Sequence, residues 1–169
     1  MNEIPFPSTT SHLQREPILV LLRGGQLLQG DIHLAEGMPL INYLRIRRLF
    51  LNLTSVRRID AETGEPPYGH LSIRLSNIVW VVPLETTLDL ASSFTTADVG
   101  RVVELHLVDE KKLRVTLNMS ENQRMSDYLD SNTGFVPLFE ARVEPEGQVV
   151  PRMAVNHESI LAIREVPAF

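Results

Sequence analysis

The sequence contains no cysteine among its 169 residues. Disulfides, thiolate metal sites and cysteine nucleophiles are therefore excluded. It also has no apolar run near the roughly 20 residues that a membrane-spanning helix needs. Its first residues lack the basic stretch and apolar core of a secretory signal. We therefore expect no membrane association and a cytoplasmic location.

Aromatic side chains are scarce, with one Trp, three Tyr and six Phe. Proteins that bind single-stranded nucleic acids usually present several exposed rings on which bases stack. Basic residues are also outnumbered, because 16 Lys and Arg stand against 21 Asp and Glu. The resulting net charge of −5 repels phosphate polymers on average. Both shortages argue against a nucleic-acid partner.

The most informative feature that is present is an internal repeat. A shift of 85 positions, which places Tyr43 on Tyr128, aligns a long stretch of the chain with a later one without a gap. A repeat of this length indicates a duplicated domain, because solenoid units have periods of roughly 20–50 residues. Domains this small are marginal alone, so we expect the two halves to pack together. The identical pairs include Leu28/Leu113, Glu36/Glu121, Leu44/Leu129, Phe50/Phe135 and Leu53/Leu138.

Within each copy, apolar residues alternate with polar ones, a period typical of strands with one buried face. The segment 23–26 contains Gly24 and Gly25 and predicts a hairpin turn, since glycine accepts positive φ. The equivalent turn at 109–111 has no glycine. Five short strands are predicted per copy. The expected organisation is a flexible segment 1–16, a first domain 17–84, a linker 85–101 and a second domain 102–169, with one short helical turn favoured at 96–100 in the linker.

Two segments resemble the signatures of the Sm-like family. Residues 20–36 (VLLRGGQLLQGDIHLAE) have two glycines five apart, alternating apolar residues and a final acid. Residues 72–81 (SIRLSNIVWV) resemble the second signature, an arginine turn between the last two strands. The resemblance implies an SH3-like barrel in each copy. The predicted fold class is therefore all-β, with two tandem five-stranded SH3-like or Sm-like barrels related by internal duplication.

The positions that contact RNA in the family are partly changed here. The family acid is followed four residues later by an asparagine, whereas Leu40 stands four residues after Glu36. Leu75 replaces the glycine that usually accompanies the signature arginine. Because fold resemblance alone is only an analogy for function, RNA binding is the alternative hypothesis. Its expected contacts are Arg74 and Asn77.

The most basic segment supplies a candidate partner-binding surface. It comprises Arg45, Arg47 and Arg48, with Arg57 and Arg58 nearby. Planar guanidinium groups suit carboxylate or phosphate recognition. The competing interpretation is a solvated loop whose charge is balanced by Asp60, Glu62 and Glu65.

A second candidate surface is provided by strand edges. Small barrels of this type leave unpaired backbone groups that pair with another strand. We expect such pairing within the chain or between chains in a homo-oligomer. The residues expected to carry it are Val79, Trp80, Val81, Val82, Leu161, Ala162 and Ile163.

Catalytic signatures are lacking. No Gly-x-Ser-x-Gly elbow or phosphate-binding loop is present, and the five histidines show no metal-ligand spacing. We therefore predict no enzymatic activity, no metal and no cofactor. The leading prediction is a non-catalytic protein-binding or scaffolding module that self-associates through its edge strands. The alternative is an RNA-binding Sm-like protein.

Overall fold

The structure, a computed structural model, describes residues 12–47, 49–60, 67–91 and 98–167. Within these ranges the protein is all-β, as predicted, with ten antiparallel strands in one sheet and two seven-residue helices. The elements of the first half are β1 (Leu13–Leu22), β2 (Leu27–Ala35), α1 (Leu40–Ile46), β3 (Phe50–Arg58), β4 (Tyr68–Arg74) and β5 (Ile78–Pro83). Those of the second half are β6 (Asp98–Leu107), β7 (Lys112–Ser120), α2 (Met125–Ser131), β8 (Phe135–Glu144), β9 (Gln148–Asn156) and β10 (Ile160–Glu165).

The strands follow the order β10-β6-β7-β8-β9-β5-β1-β2-β3-β4. The five strands of each half are neighbours in the sheet. Within each half the fifth strand lies beside the first, and the second, third and fourth follow in chain order. The halves meet where β9 of the second half pairs with β5 of the first. Consequently β4 and β10 are the two outermost strands of the described sheet. One 3₁₀ turn, Leu75–Asn77, connects β4 to β5, and another, His157–Ser159, connects β9 to β10.

The buried apolar side chains form two clusters, one for each half. At the junction, each cluster also contains residues from the other half. Ile18, Val20 and Ile32 are fully buried in the first cluster, as their alternation predicts. That cluster also includes Phe135 and Ala154 from the second half. The second cluster correspondingly includes Val79 from the first half. The halves are therefore held together by apolar burial as well as by backbone pairing.

The first hairpin turn is formed where the glycines predict it. Gly25 has a φ of 83°, and its N–H donates to the Leu22 carbonyl over 2.9 Å. In the second half Glu110 takes the equivalent conformation, with a φ of 66°. Ser55 in β3 and Glu140 in β8 also have positive φ, at 51° and 52°. These two residues locally distort strands that are otherwise extended.

Neither helix was predicted, and α1 depends on contacts made through space. Pro39 at the N-terminus of α1 offers no side-chain cap. Instead, the Leu40 and Ile41 N–H groups donate to the carbonyls of Asp89 and Leu90 in the linker, over 2.8 and 2.9 Å. Isolated helices this short are marginal in water. Arg45 of the arginine segment is therefore helical, whereas the competing interpretation described that segment as a solvated loop.

Two element boundaries also differ from expectation. β1 begins at Leu13, within the segment assigned to a flexible lead-in, while residues 1–11 lie outside the described residues. β6 begins at Asp98, so residues 98–100 form a strand and not the expected helical turn. Residues 96 and 97 lie outside the described residues. Pairing of Asp98 with Ser120 on β7 is a non-local contact that the local sequence does not reveal.

Glu16 is an acid buried in β1, where the Gln14 side-chain amide donates to it. Burial raises the pKa of Glu16, and the nearby charge of Glu85 raises it further. A raised pKa in the folded state means that stability is present at low pH and falls as pH rises through that pKa. Glu16→Gln should therefore increase the melting temperature at pH 7 and change it little at pH 4. Thermal unfolding followed by circular dichroism measures this, with Glu36→Gln at an exposed position as control. Equal melting temperatures for Glu16→Gln and wild type at pH 7 would contradict the expectation.

Candidate partner-binding site

The junction between the halves positions the candidate site. Trp80 pairs with Val155, and Val81 pairs with Ala154. Immediately after this short ladder, the buried side chain of Asn156 enters the first half. Its Nδ2 donates to the Leu75 carbonyl over 3.0 Å and to the Ile78 carbonyl over 2.9 Å.

Further hydrogen bonds hold the two 3₁₀ turns side by side. Ser159, which is fully buried, donates through Oγ to the Ile78 carbonyl over 3.2 Å. Arg23 bridges the turns, with Nε donating to the Ser76 carbonyl over 2.7 Å and Nη2 to the Glu158 carbonyl over 2.9 Å. Buried carbonyls need such donors because an unsatisfied polar group is costly. The relative position of the turns is therefore specified by side chains from both halves.

Arg152 attaches the linker to the second half. Its Nη2 donates to the Glu85 carbonyl over 2.7 Å, and its Nη1 donates to the Leu88 carbonyl. Leu88 and Leu90 are both buried in the first cluster. Residues 85–91 of the linker thus lie against the first half and are tied to the second.

A cavity of about 680 Å³ opens at this junction, and we term it the inter-half cavity. The first half contributes the C-terminal end of α1, Arg47, Leu49, Arg74 and the first two residues of the turn at 75–77. The second half contributes residues 133–135 and the segment from Asn156 to Glu158. Both halves are required to form its walls.

Three arginines line the inter-half cavity, namely Arg45, Arg47 and Arg74. Arg45 Nη2 donates to Asn132 Oδ1 over 3.1 Å and to the Phe135 carbonyl over 3.4 Å. The Arg47 guanidinium lies 4.5 Å from the centre of the Tyr43 ring, a cation–π distance. Within the parts of the chain that the structure describes, Arg47 Nε is the one buried side-chain donor with no acceptor.

The remaining lining is mixed. Leu49 and Leu75 supply its exposed apolar surface, while Leu44 and Phe135 are buried. The polar part consists of Ser76, Thr133, Asn156, His157 and Glu158. Glu158 is the one acid among the described lining residues. Three guanidinium groups facing one carboxylate make the cavity attractive to anions. Its apolar lining also suits the hydrophobic part of a ligand.

The predicted arginines are only partly brought together. Arg45 and Arg47 from the proposed partner-binding set share the cavity with Arg74 from the RNA hypothesis, whereas Arg48 lies outside the described residues. On β3, Arg57 donates to Gln29 over 2.8 Å, and Arg58 pairs with Asp60 over 3.4 Å. Neither lines the inter-half cavity. Arg58 instead lines a neighbouring cavity of about 300 Å³, together with Arg74 and Asn77.

The predicted edge segments occupy different places in the sheet. The first, Val79, Trp80, Val81 and Val82, lies in β5 between β9 and β1. The second, Leu161, Ala162 and Ile163, lies in β10, which pairs with β6 on one side and is outermost on the other. Leu161 is 68% exposed.

Sequence reasoning did not identify Asn156 or Arg152 as residues of the junction. Their contacts involve backbone carbonyls, which leave no trace in side-chain patterns. One signal was available for Asn156, which occupies the position equivalent to Arg74 in the repeat. Arg74 is exposed, whereas Asn156 is buried, and an amide is buried more readily than a charged side chain.

Among the described residues, no group of three or more His, Asp or Glu side chains is placed to hold a metal ion. No helix in the same ranges is long and apolar enough to span a membrane. Comparisons of the chain with protein-family models, with curated proteins and with solved structures find no match.

Proposed function

We propose that the protein is a non-catalytic scaffold made of two tandem Sm-like barrels, located in the cytoplasm. It self-associates through its outer strands and binds a protein partner at the arginine segment. No enzymatic chemistry is part of the proposal. Each component has a separate support and a separate test.

The duplicated barrel is supported by the matched backbone of the two halves. Both halves follow the same strand order, with the fifth strand beside the first. The positive φ values of Gly25 and Ser55 recur at Glu110 and Glu140, the positions that the repeat pairs with them. Such conformations are uncommon outside glycine. Their recurrence favours a common ancestral unit.

Self-association rests on one observation, the pairing of β5 with β9 inside the chain. In the repeat, β10 is equivalent to β5 and β4 is equivalent to β9. The same head-to-tail contact would therefore join β10 of one copy to β4 of the next. Outer strands carry unpaired N–H and C=O groups that favour such pairing. Repetition of a head-to-tail contact yields either a closed ring or a filament.

The side chains of β10 include apolar residues suited to this contact. Leu161 is exposed on β10, and Ile163 is partly buried beside it. On β4, Leu71 is partly buried and His70 is exposed. A second copy would cover this surface, as β9 covers β5 within the chain.

Replacement of Leu161 by Glu should abolish self-association, because it places a charge within the proposed contact. Size-exclusion chromatography with light scattering should give a multiple of 19.1 kDa for wild type and a single-chain mass for the variant. Leu13→Glu is the matched control, since Leu13 is similarly exposed at 59% but lies on β1. A single-chain mass for wild type, or an unchanged mass for Leu161→Glu, would remove this part of the proposal.

Single-stranded RNA is the second candidate ligand. Arg74, which the family resemblance assigns to RNA contact, lines the same cavity as Arg45 and Arg47. The net charge of −5 opposes this candidate. Oligouridylate binding that weakens steeply with salt would favour it over a protein partner.

A further inference from the structure

We propose that the inter-half cavity binds an acidic segment of a partner protein, in which carboxylates flank an aliphatic or aromatic side chain. This inference rests on the proposed protein-binding function and names its site and ligand chemistry. It is independent of self-association through β4 and β10.

The charge of the cavity selects an anion. Arg45, Arg47 and Arg74 approach it from the first half, against the single carboxylate of Glu158. The buried Nε of Arg47 has no acceptor. Buried donors in folded proteins are nearly always paired, and Arg47 is a lining residue of the cavity, so the proposal places the missing acceptor on the ligand. A carboxylate oxygen satisfies it with a charge-assisted hydrogen bond.

Two of the arginines are already held in place. Arg45 is fixed by its bonds to Asn132 and to the Phe135 carbonyl. Arg47 is stacked on Tyr43, which is itself buried. Binding therefore immobilises few additional side chains, which lowers its entropic cost.

The apolar lining favours a peptide. Leu49 and Leu75 provide aliphatic surface, and Leu49 is 58% exposed. A volume of about 680 Å³ lies within the usual range for ligand sites. An apolar side chain between two carboxylates matches this combination.

RNA fits the same lining less well. Single-stranded RNA gains much of its affinity from bases stacked on exposed rings. Phe135 is the one phenylalanine, tyrosine or tryptophan among the described lining residues, and it is only 2% exposed. A base entering the cavity would meet leucine side chains instead of an open ring.

Fluorescence anisotropy with the full chain tests the inference. The probe is a labelled peptide EELFEE with blocked termini, and KKLFKK is the charge-reversed comparison. EELFEE should bind and should weaken as salt is added, because screening reduces charge attraction. KKLFKK should not bind.

Arg47→Gln and Arg74→Gln should each weaken EELFEE binding about tenfold, the effect of losing one charge-assisted hydrogen bond. Arg142→Gln removes the same charge from an exposed position on β8, outside the inter-half cavity, and should leave binding unchanged. Arg74 is exposed, so its variant keeps the test informative if Arg47→Gln affects folding. Circular dichroism of each variant checks the fold.

Three results would overturn the inference: no binding of EELFEE, binding insensitive to both cavity substitutions, or tighter binding of oligouridylate with the same dependence on Arg47 and Arg74. The last result would assign the cavity to RNA. Light scattering on the same samples separates these outcomes from self-association. An unchanged oligomer with no peptide binding would reject the cavity assignment and leave the strand-edge contact standing.

Discussion

Asn156→Asp is expected to lower the free energy of unfolding by about 3 kcal/mol at pH 7, from lost hydrogen bonds and a buried charge. The substitution preserves side-chain shape but replaces the Nδ2 donor with an oxygen. That oxygen would face the carbonyls of Leu75 and Ile78, which now lie 3.0 and 2.9 Å from Nδ2. Each carbonyl would lose one donor and keep another, since the Ile78 N–H donates to Leu75 and Ser159 Oγ donates to Ile78. A negative charge would be buried between the two carbonyls. For a chain of this size, the melting temperature should fall by about 10 °C.

Urea unfolding at pH 7 measures the effect on Asn156→Asp. Asn52→Asp is the control, because Asn52 is exposed and uses its Oδ1 only to accept from Ser72, a bond that aspartate retains. That control should change stability by less than about 0.5 kcal/mol. The penalty at position 156 should shrink as pH falls, since protonation removes the buried charge. A loss below about 1 kcal/mol at pH 7 would refute the role given to Asn156 at the junction.

Gly30→Val is expected to lower the free energy of unfolding by about 2–3 kcal/mol through overpacking. A Cβ atom at Gly30 would lie 3.2 Å from Leu53 Cβ, from the Thr54 carbonyl oxygen and from Val56 Cγ2. Two of these atoms belong to buried side chains and one to the backbone, so none can move away freely. Valine adds this Cβ and two further methyl groups at a position that is already crowded.

The measurement is again urea unfolding, with Gly24→Ala as control. No heavy atom lies within 4 Å of the Cβ position at Gly24, so the change there should stay within about 0.5 kcal/mol of wild type. If Gly30→Val has the same stability as wild type, the prediction is wrong and β3 can shift away from β2.

The second half carries Val115 at the equivalent position, and that valine is buried. The close approach to β3 is therefore a property of the first half.

Alternating side chains and turn residues were sufficient to predict most strands. Strand faces have a period of two, so Ile18, Val20 and Leu22 could be assigned to one buried face before any contact was known. The hairpin at 23–26 was likewise predictable, because Gly25 tolerates the positive φ found there. Both features depend on residues adjacent in the chain.

Helix α1 and the first residues of β6 required non-local partners. The first N–H groups of α1 bond to linker carbonyls almost 50 residues away, at Asp89 and Leu90. Asp98 joins a strand through Ser120. Backbone groups are the same in every residue, so such pairings leave little mark on local composition.

The candidate site likewise combines residues that the sequence identifies with an arrangement that only non-local contacts determine. Guanidinium chemistry pointed to Arg45 and Arg47 in the sequence, and the Sm-like resemblance pointed separately to Arg74. Their convergence in one cavity depends on β9 pairing with β5 and on Asn156 bonding across the junction. Residue types and their spacing thus determine which side chains can bind an anion and which faces of the strands are buried. Which arginines face a common cavity is determined by strand pairing between the halves, because contacts between distant segments bring those side chains together.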